Sequence, residues 1–349
     1  MTDRQLRVIK AGPSVTIQDL GRPGYQRFGV AEGGAIDTLA MAEGAVLLGN
    51  PKEAAALEMF GVGGTFMAEG GAMRIALTGT PMTAKLDGRS LDWRTSFLIE
   101  PGQVLSIGTV TEGNYGYLHI GGGIGTKPVL SSRSTHIRAR LGGLKGTVLR
   151  SGDRIPVEPD HGTEIDMHLT RPRPSAPPGI RILWGAQANW FTENERQRFL
   201  QTEFKVTAKL DRMGVRLAGT GAPIHSELGL SGLSDAVILG DIQIPGDGEP
   251  AVLLADRQPT GGYPRIATII TADLAHMAQT QPGKTVKFEL VSEADALQAL
   301  REWRRLLIGL QGARAPLRRD PREIPNLLDY NLISGVVYPT DQTAKEDTP

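Results

Sequence analysis

Residues 251–270, AVLLADRQPTGGYPRIATII, place an acid, a base, an amide, a hydroxyl and a phenol between two apolar runs. These are Asp256, Arg257, Gln258, Thr260 and Tyr263, with Gly261 and Gly262 among them. Four more stretches set turn glycines beside polar groups that are costly to bury unpaired. They are SVTIQDLGRPGYQRFGV (14–30), GGAID (33–37), SSRST (131–135) and KLDRMG (209–214), the last leading on to ILGDIQIPGDGEP (238–250). They contribute Gln18, Asp19, Arg22, Asp37, Arg133, Arg212 and Gln243. Any one of these alone is more simply a turn residue or a solvated ion pair, which is worth little. The recurring set of carboxylate, guanidinium and primary amide suits a planar N–C=O group. An amide side chain matches both edges of a ureido or lactam, a carboxylate accepts its N–H, and a guanidinium holds a carboxylate or developing oxyanion.

Other chemistries find less support. The chain has no cysteine, which excludes disulfides, thiolate nucleophiles and Cys-ligated zinc. Its six histidines are dispersed, without metal-ligand spacing, and no metal is expected. Gly283-Lys284-Thr285 ends like a phosphate-binding loop, but Ala278 stands where the first glycine belongs and VKFELV reads as a strand. GGGIG at 121–125 lacks dinucleotide spacing, and Ser231 lacks the final glycine of a nucleophile elbow. No Ala-Met-Lys-Met stretch marks a biotinylated lysine. The 38 basic and 38 acidic residues cancel, so no nucleic-acid partner is expected. No signal-peptide core and no apolar run of about 18 residues occurs, so a cytoplasmic protein without a membrane partner is expected.

The elements that must position these groups read as mainly β with a few helices, an α+β chain. Forty-four glycines are dispersed between short apolar segments, as turns between strands. Strands are expected at Leu6–Lys10, Met73–Thr78, Met82–Leu86, Ser96–Ile99, Val104–Ile107, Tyr115–Ile120 and Ile180–Trp184. The spacing over Ala35–Leu48 predicts a helix ended by Gly49-Asn50-Pro51, of a length to fill the mouth of a barrel. Thr192 with Glu195 and Ser292 with Asp295 read as helix starts. RPRPSAPPG, residues 171–179, cannot lie inside a sheet or helix and divides the chain. The expected units are 1–170, an N-terminal β half; the linker 171–179; 180–291, a C-terminal β half; and 292–349, a helix and a Pro- and charge-rich arm.

The motifs GPSVTIQDLGRPGYQRFGVAEGGAID, LLGN, LHIGGGI, SRST, GGLKG, SGDRI, DRMGVRLAG, IQIPGDGEPAVLLADRQPTGGYPRIATI and DLAHMAQTQPG resemble, in order, the biotin-dependent carboxyltransferase family. The same family is called allophanate hydrolase subunit 2, KipA-like, or the C subunit of 5-oxoprolinase. The resemblance spans about residues 6–290 and leaves out 292–349. It implies two cyclophilin-like β-barrel half-domains around a shared cleft. It implies a KipI-like B subunit as partner and, for the oxoprolinase, an A subunit as well. It also implies that residues 256–263 line the cleft, with Gly261 and Gly262 letting backbone approach the ligand.

On that basis Asp256, Arg257 and Asp37 are the candidate catalytic residues. Gln18, Arg133, Arg212, Gln243, Gln258, Thr260 and Tyr263 are the candidate substrate-binding residues. As a glycine-flanked loop that buries little, 256–263 is expected to matter for ligand handling more than for folding. Three departures stand out: Pro259 for a usual Thr, Tyr115 for a common Arg, and Gly44-Ala45 near a usual Asn.

The leading expectation is the C subunit of an ATP-dependent 5-oxoprolinase that opens the lactam of 5-oxoproline to glutamate. It carries no covalent cofactor, and ATP and Mg²⁺ serve the complex. One alternative is a carboxyltransferase of the urea/allophanate type, taking carboxybiotin from another chain, since 349 residues leave no room for a biotin carboxylase or carrier segment. The other is a non-catalytic KipA-like regulator of a KipI-like protein.

Overall fold

Alternation of apolar and polar residues decides where the strands lie. Met82–Leu86 and Gly64–Glu69 bury every second side chain, while all seven residues of Met73–Gly79 are buried, so that strand is covered on both faces. A computed structural model describes residues 4–227 and 234–317. Ser231 and residues 318–349, most of the anticipated arm, lie outside the described residues.

The first half contains two antiparallel sheets. One runs Arg154–Pro156, Gln5–Ala11, Gly64–Glu69, Val104–Val110, Met82–Leu86, Arg89–Ser90. The other runs Val15–Gln18, Ala56–Phe60, Tyr115–Ile120, Met73–Gly79, Thr95–Ile99, Met167–Leu169, Arg314–Pro316. Leu6, Val8, Phe66, Ile75, Leu77 and Leu118 belong to the core between them. The outer face of Met73–Gly79 is covered by helix α1, Thr38–Leu48, which buries nine of its eleven residues. Asp37 caps α1 and Gly49, at φ 66°, ends it, so the helix starts three residues later than the spacing predicts.

The second half is built on one sheet of eight strands. Its order is Thr285–Val286, Phe204–Leu210, Gly214–Gly219, Ala251–Leu253, Asp241–Gln243, Arg265–Ile269, Ile180–Trp184, Phe288–Leu290. The two terminal strands are consecutive in sequence, separated only by Lys287, so the sheet curls almost into a closed barrel. Helix α2, Glu193–Gln201, starts at Thr192, whose hydroxyl accepts from the Glu195 amide at 3.1 Å. The barrel core continues into Ala35, Ile36, Ala40, Met41, Ala56, Tyr115 and Tyr117 of the first half. The helix α3, Leu274–Gln279, sits against that junction through Gln279 and Met277.

Two segments behave differently from a linker and an arm. Within 171–179, Arg173 donates to both Asp37 oxygens at 2.9 Å and lies 3.3 Å from Glu43. The linker is thereby anchored to the start of α1. After helix α4, Glu293–Gly309, the strand Arg314–Pro316 pairs with Met167–Leu169. Residues 314–316 thus form the edge of the first half's sheet. No helix among the described residues is long and apolar enough to cross a membrane.

Candidate functional site

Cross-strand register builds the site. Thr16, Glu58 and Tyr117 are direct neighbours on three adjacent strands, and Phe60 stands opposite Tyr115. Because side chains alternate along a strand, Glu58 and Phe60 share one face with Tyr115 and Tyr117. That face looks toward the barrel half. There the tight turn Asp211–Met213, between Phe204–Leu210 and Gly214–Gly219, delivers Arg212 to it.

Arg212 joins the halves. Its Nε and Nη2 grip both oxygens of Asp256 at 3.0 and 2.9 Å. Its Nη1 bonds Glu58 Oε1, and its Nη2 donates to the Gly34 carbonyl at 2.7 Å. All three ionic side chains are nearly inaccessible, at 11, 2 and 8% exposure for Arg212, Glu58 and Asp256. Burial alone pushes the Arg212 pKa down, but the Glu58 and Asp256 charges more than reverse it, and the net shift is upward. Glu58 Oε2 accepts from the Ile36 amide at 2.8 Å and the Tyr117 phenol at 2.6 Å.

Glu58, Arg212 and Asp256 line a cavity of about 270 Å³ at the junction of the halves, with Ser14, Thr16, Phe60, Tyr115, Arg138 and Met213 as further walls. The arrangement can offer carboxylate lone pairs to an N–H and a guanidinium to an oxygen, out of bulk water. Behind it Arg22 is buried, with Nη2 on the Ser134 carbonyl at 2.5 Å and no partner among the described residues for Nε or Nη1. Burial lowers its pKa; Asp19 and Asp256 offset this only in part, and Arg212 adds to the lowering.

The structure separates residues that the sequence grouped. Asp256 and Arg257 are neighbours that face apart. Arg257 pairs with Glu32 at 2.8 Å and borders a second cavity of about 210 Å³ with Leu254, Leu274 and Trp303. Gln243, Gln258 and Tyr263 line a third, open groove along the barrel, and Gln258 donates to Gln243 at 3.4 Å. Thr260 is exposed and pairs with Ala236 in a two-stranded ribbon. Gly261 does mark a close approach, but to protein: a Cβ there would stand 2.6 Å from Gln243 Nε2. Gly262 is half-buried beside it.

Three residues assigned to binding or catalysis have structural surroundings. Arg133 turns away, to the Thr126 carbonyl and to Glu158, both at 2.8 Å, while its amide donates to Asp19. Gln18 is fully buried, and its Nε2 bonds Thr16 Oγ1 and the Thr135 carbonyl, both at 3.0 Å. Asp37 is also fully buried. Its carboxylate caps Ala40 at 2.9 Å and takes Arg173 and Gln279, leaving it outside the cavity wall. The expectation that 256–263 buries little is also corrected: Asp256 and Arg257 are 8% and 4% exposed.

Sequence reasoning missed Glu58 and Tyr117. Glu58 was legible as an acid inside the apolar strand ALEMF, and the two tyrosines as a period-two pair in NYGYLHI. Among the departures, Pro259 offers its carbonyl to the Gln26 side-chain amide at 2.8 Å. Gly44 makes room for His119, whose ring a Cβ would overlap.

A family model described as carboxyltransferase domain, subdomains A and B, matches residues 28–290. The chain belongs to this family. Within it, the C subunit of the Haemophilus influenzae 5-oxoprolinase is 36% identical over 295 residues, 84% of this chain and 94% of that protein. The Escherichia coli K12 protein of the same name is 33% identical over 310 residues, 86% of this chain and 96% of that protein. The crystal structure of K. lactis urea amidolyase superposes with a TM-score of 0.79 at 24% identity, over 92% of this chain and 21% of that one, which shows the carboxyltransferase-domain fold. The two halves of this chain, joined through Arg212, thus have the architecture of a carboxyltransferase domain.

Proposed function

We propose that this chain is the C subunit of an ATP-dependent 5-oxoprolinase complex, an amide-bond hydrolase, and that the cavity bounded by Glu58, Arg212 and Asp256 holds the lactam. The observation that carries this is the near full-length match to two relatives that bear the name of the 5-oxoprolinase C subunit. The cavity's chemistry agrees with it. Asp256 and Glu58 accept the ring N–H, Arg212 Nη1 faces the carbonyl oxygen, and the exposed Arg138 at the mouth offers a cation to the substrate carboxylate. Burial strengthens each of these interactions relative to water.

The chain does not supply its own driving force in this reading. Gly283-Lys284-Thr285 leads into the strand Thr285–Val286, so no helix N-terminus meets a phosphate there. ATP with Mg²⁺, which activates an oxygen for the ring opening when bound, is therefore assigned to another polypeptide of the complex. This chain binds and orients the lactam and excludes water. The partners are a KipI-like B subunit and the A subunit, and the complex works in the cytoplasm.

The test is glutamate released per ATP consumed, with each polypeptide omitted in turn. Turnover is expected only with all three present. Turnover by this chain alone refutes the division of labour. A weaker sequence likeness to the Lachancea kluyveri urea amidolyase, 28% identical over 83% of this chain, supports one second reading, a carboxyltransferase acting on urea with carboxybiotin from another chain. No glutamate with all three polypeptides, but carboxylation of urea when carboxybiotin is offered, selects it. Binding to the KipI-like partner without any turnover selects a KipA-like regulator.

A further inference from the structure

Tyr115 and Tyr117 project from one strand onto the same face, yet their phenols have opposite fates. Tyr117 Oη is saturated: it donates to Glu58 at 2.6 Å and accepts from the Asp37 amide at 2.9 Å. Tyr115 Oη has no hydrogen-bond partner among the described residues, although its residue is fully buried and lines the cavity with Glu58, Arg212 and Asp256. Buried phenols normally find a partner, and one left without is destabilising.

The position of this phenol is tightly fixed. Gln279 of α3 accepts from the Tyr115 amide and donates to its carbonyl, each at 2.9 Å. The Thr80 amide donates to the same carbonyl at 2.9 Å. The Tyr115 ring packs on Phe60 with centroids 5.1 Å apart. Neither nearby carboxylate bonds this hydroxyl: Glu58 takes Arg212, Ile36 and Tyr117, while Asp256 takes Arg212 through one hydrogen bond on each oxygen and keeps lone pairs for a ligand. Burial, with Glu58 next, pushes the Tyr115 pKa up, so the group remains a donor throughout the working pH range.

We propose that Tyr115 Oη donates a hydrogen bond to the carbonyl oxygen of the bound amide, which makes Tyr115 a substrate-binding residue opposite the carboxylates that take the N–H. This rests on the reading of the cavity as the lactam site. Around the phenol Glu58, Asp256 and Asp211 outnumber Arg212. That excess favours a neutral carbonyl there over the substrate's own carboxylate, which belongs at the Arg138 mouth.

The test is Tyr115→Phe in the assembled complex. A hydroxyl without a protein partner can leave without structural loss, so the melting temperature should stay within about 1 °C of wild type or rise. KM for 5-oxoproline should increase about tenfold, equivalent to about 1.4 kcal/mol, with kcat changed less than about threefold. Unchanged KM overturns the proposal. So does a fall in melting temperature of several degrees with KM unmoved or restored at lower temperature, since that is a packing role. If the wild-type complex does not turn over 5-oxoproline, the functional reading fails, and urea binding to the isolated chain, followed by NMR titration, judges the phenol instead. A Kd raised several-fold in Tyr115→Phe then supports it, and equal affinity, or no binding to either protein, overturns it.

Discussion

Replacing Arg212 by Met should destabilise the protein severely, and replacing its two acids at the same time should undo much of the damage. Among the described residues Arg212 is the only cation bonded to the Asp256 and Glu58 carboxylates, and all three side chains are at most 11% exposed. Removing it strands two buried charges. Breaking a buried pair in this way costs about 3–5 kcal/mol, and here two pairs break together. For a large domain, about 4 kcal/mol corresponds to a fall in melting temperature of roughly 8–15 °C. In Arg212→Met with Glu58→Gln and Asp256→Asn no charge is left behind, and the loss should shrink by about 2 kcal/mol or more, a clear non-additivity. Urea unfolding at pH 7 of the single, the paired acid and the triple variants measures this. Activity of the assembled complex should be lost in all of them, which separates the two roles of the triad. A single variant that loses less than about 1 kcal/mol, or a triple variant as unstable as the sum of its parts, refutes the reasoning.

Three further expectations follow from buried groups outside the cavity. His119 is fully buried against Thr78, and burial lowers its pKa from 6.5 to about 3. Protons therefore bind the unfolded chain first: stability is complete above about pH 6.5 and falls by about 1.4 kcal/mol per unit from there toward pH 3, so about 2 kcal/mol should go between pH 7 and pH 5. His119→Gln should remove that slope, and a slope equal to wild type would contradict it. Gly44→Ala puts a Cβ into the His119 ring. It should cost roughly 1–3 kcal/mol by overpacking, read by urea unfolding, and no cost would mean that the ring moves freely. Arg173→Ala deprives buried Asp37 and Glu43 of a shared cation. It should speed proteolysis within residues 171–179 and lower the melting temperature, whereas an unchanged cleavage rate would show that the linker is held by something else.

The sequence by itself determined the strand-rich class, the helix over most of 35–48 and both later helix starts, because these rest on local periodicity and capping. Tyr115–Ile120 and Met82–Leu86 are read from sequence with the bounds the structure gives them. It also marked Arg212 and Asp256 as candidates, through turn glycines beside polar side chains. Only the tertiary structure decided which polar groups meet. A residue's side along a strand depends on register, and a loop residue's direction on the elements packed beside it. So Asp256 and Arg257, adjacent in the chain, border different cavities. Arg133, in a motif no less conspicuous, serves Glu158. Glu58, hidden inside ALEMF, became the acid that Arg212 carries across to Asp256. Tyr115, visible in the sequence only as a departure, became a buried donor because strand register turned it onto the cavity face, where its hydroxyl meets no partner among the described residues.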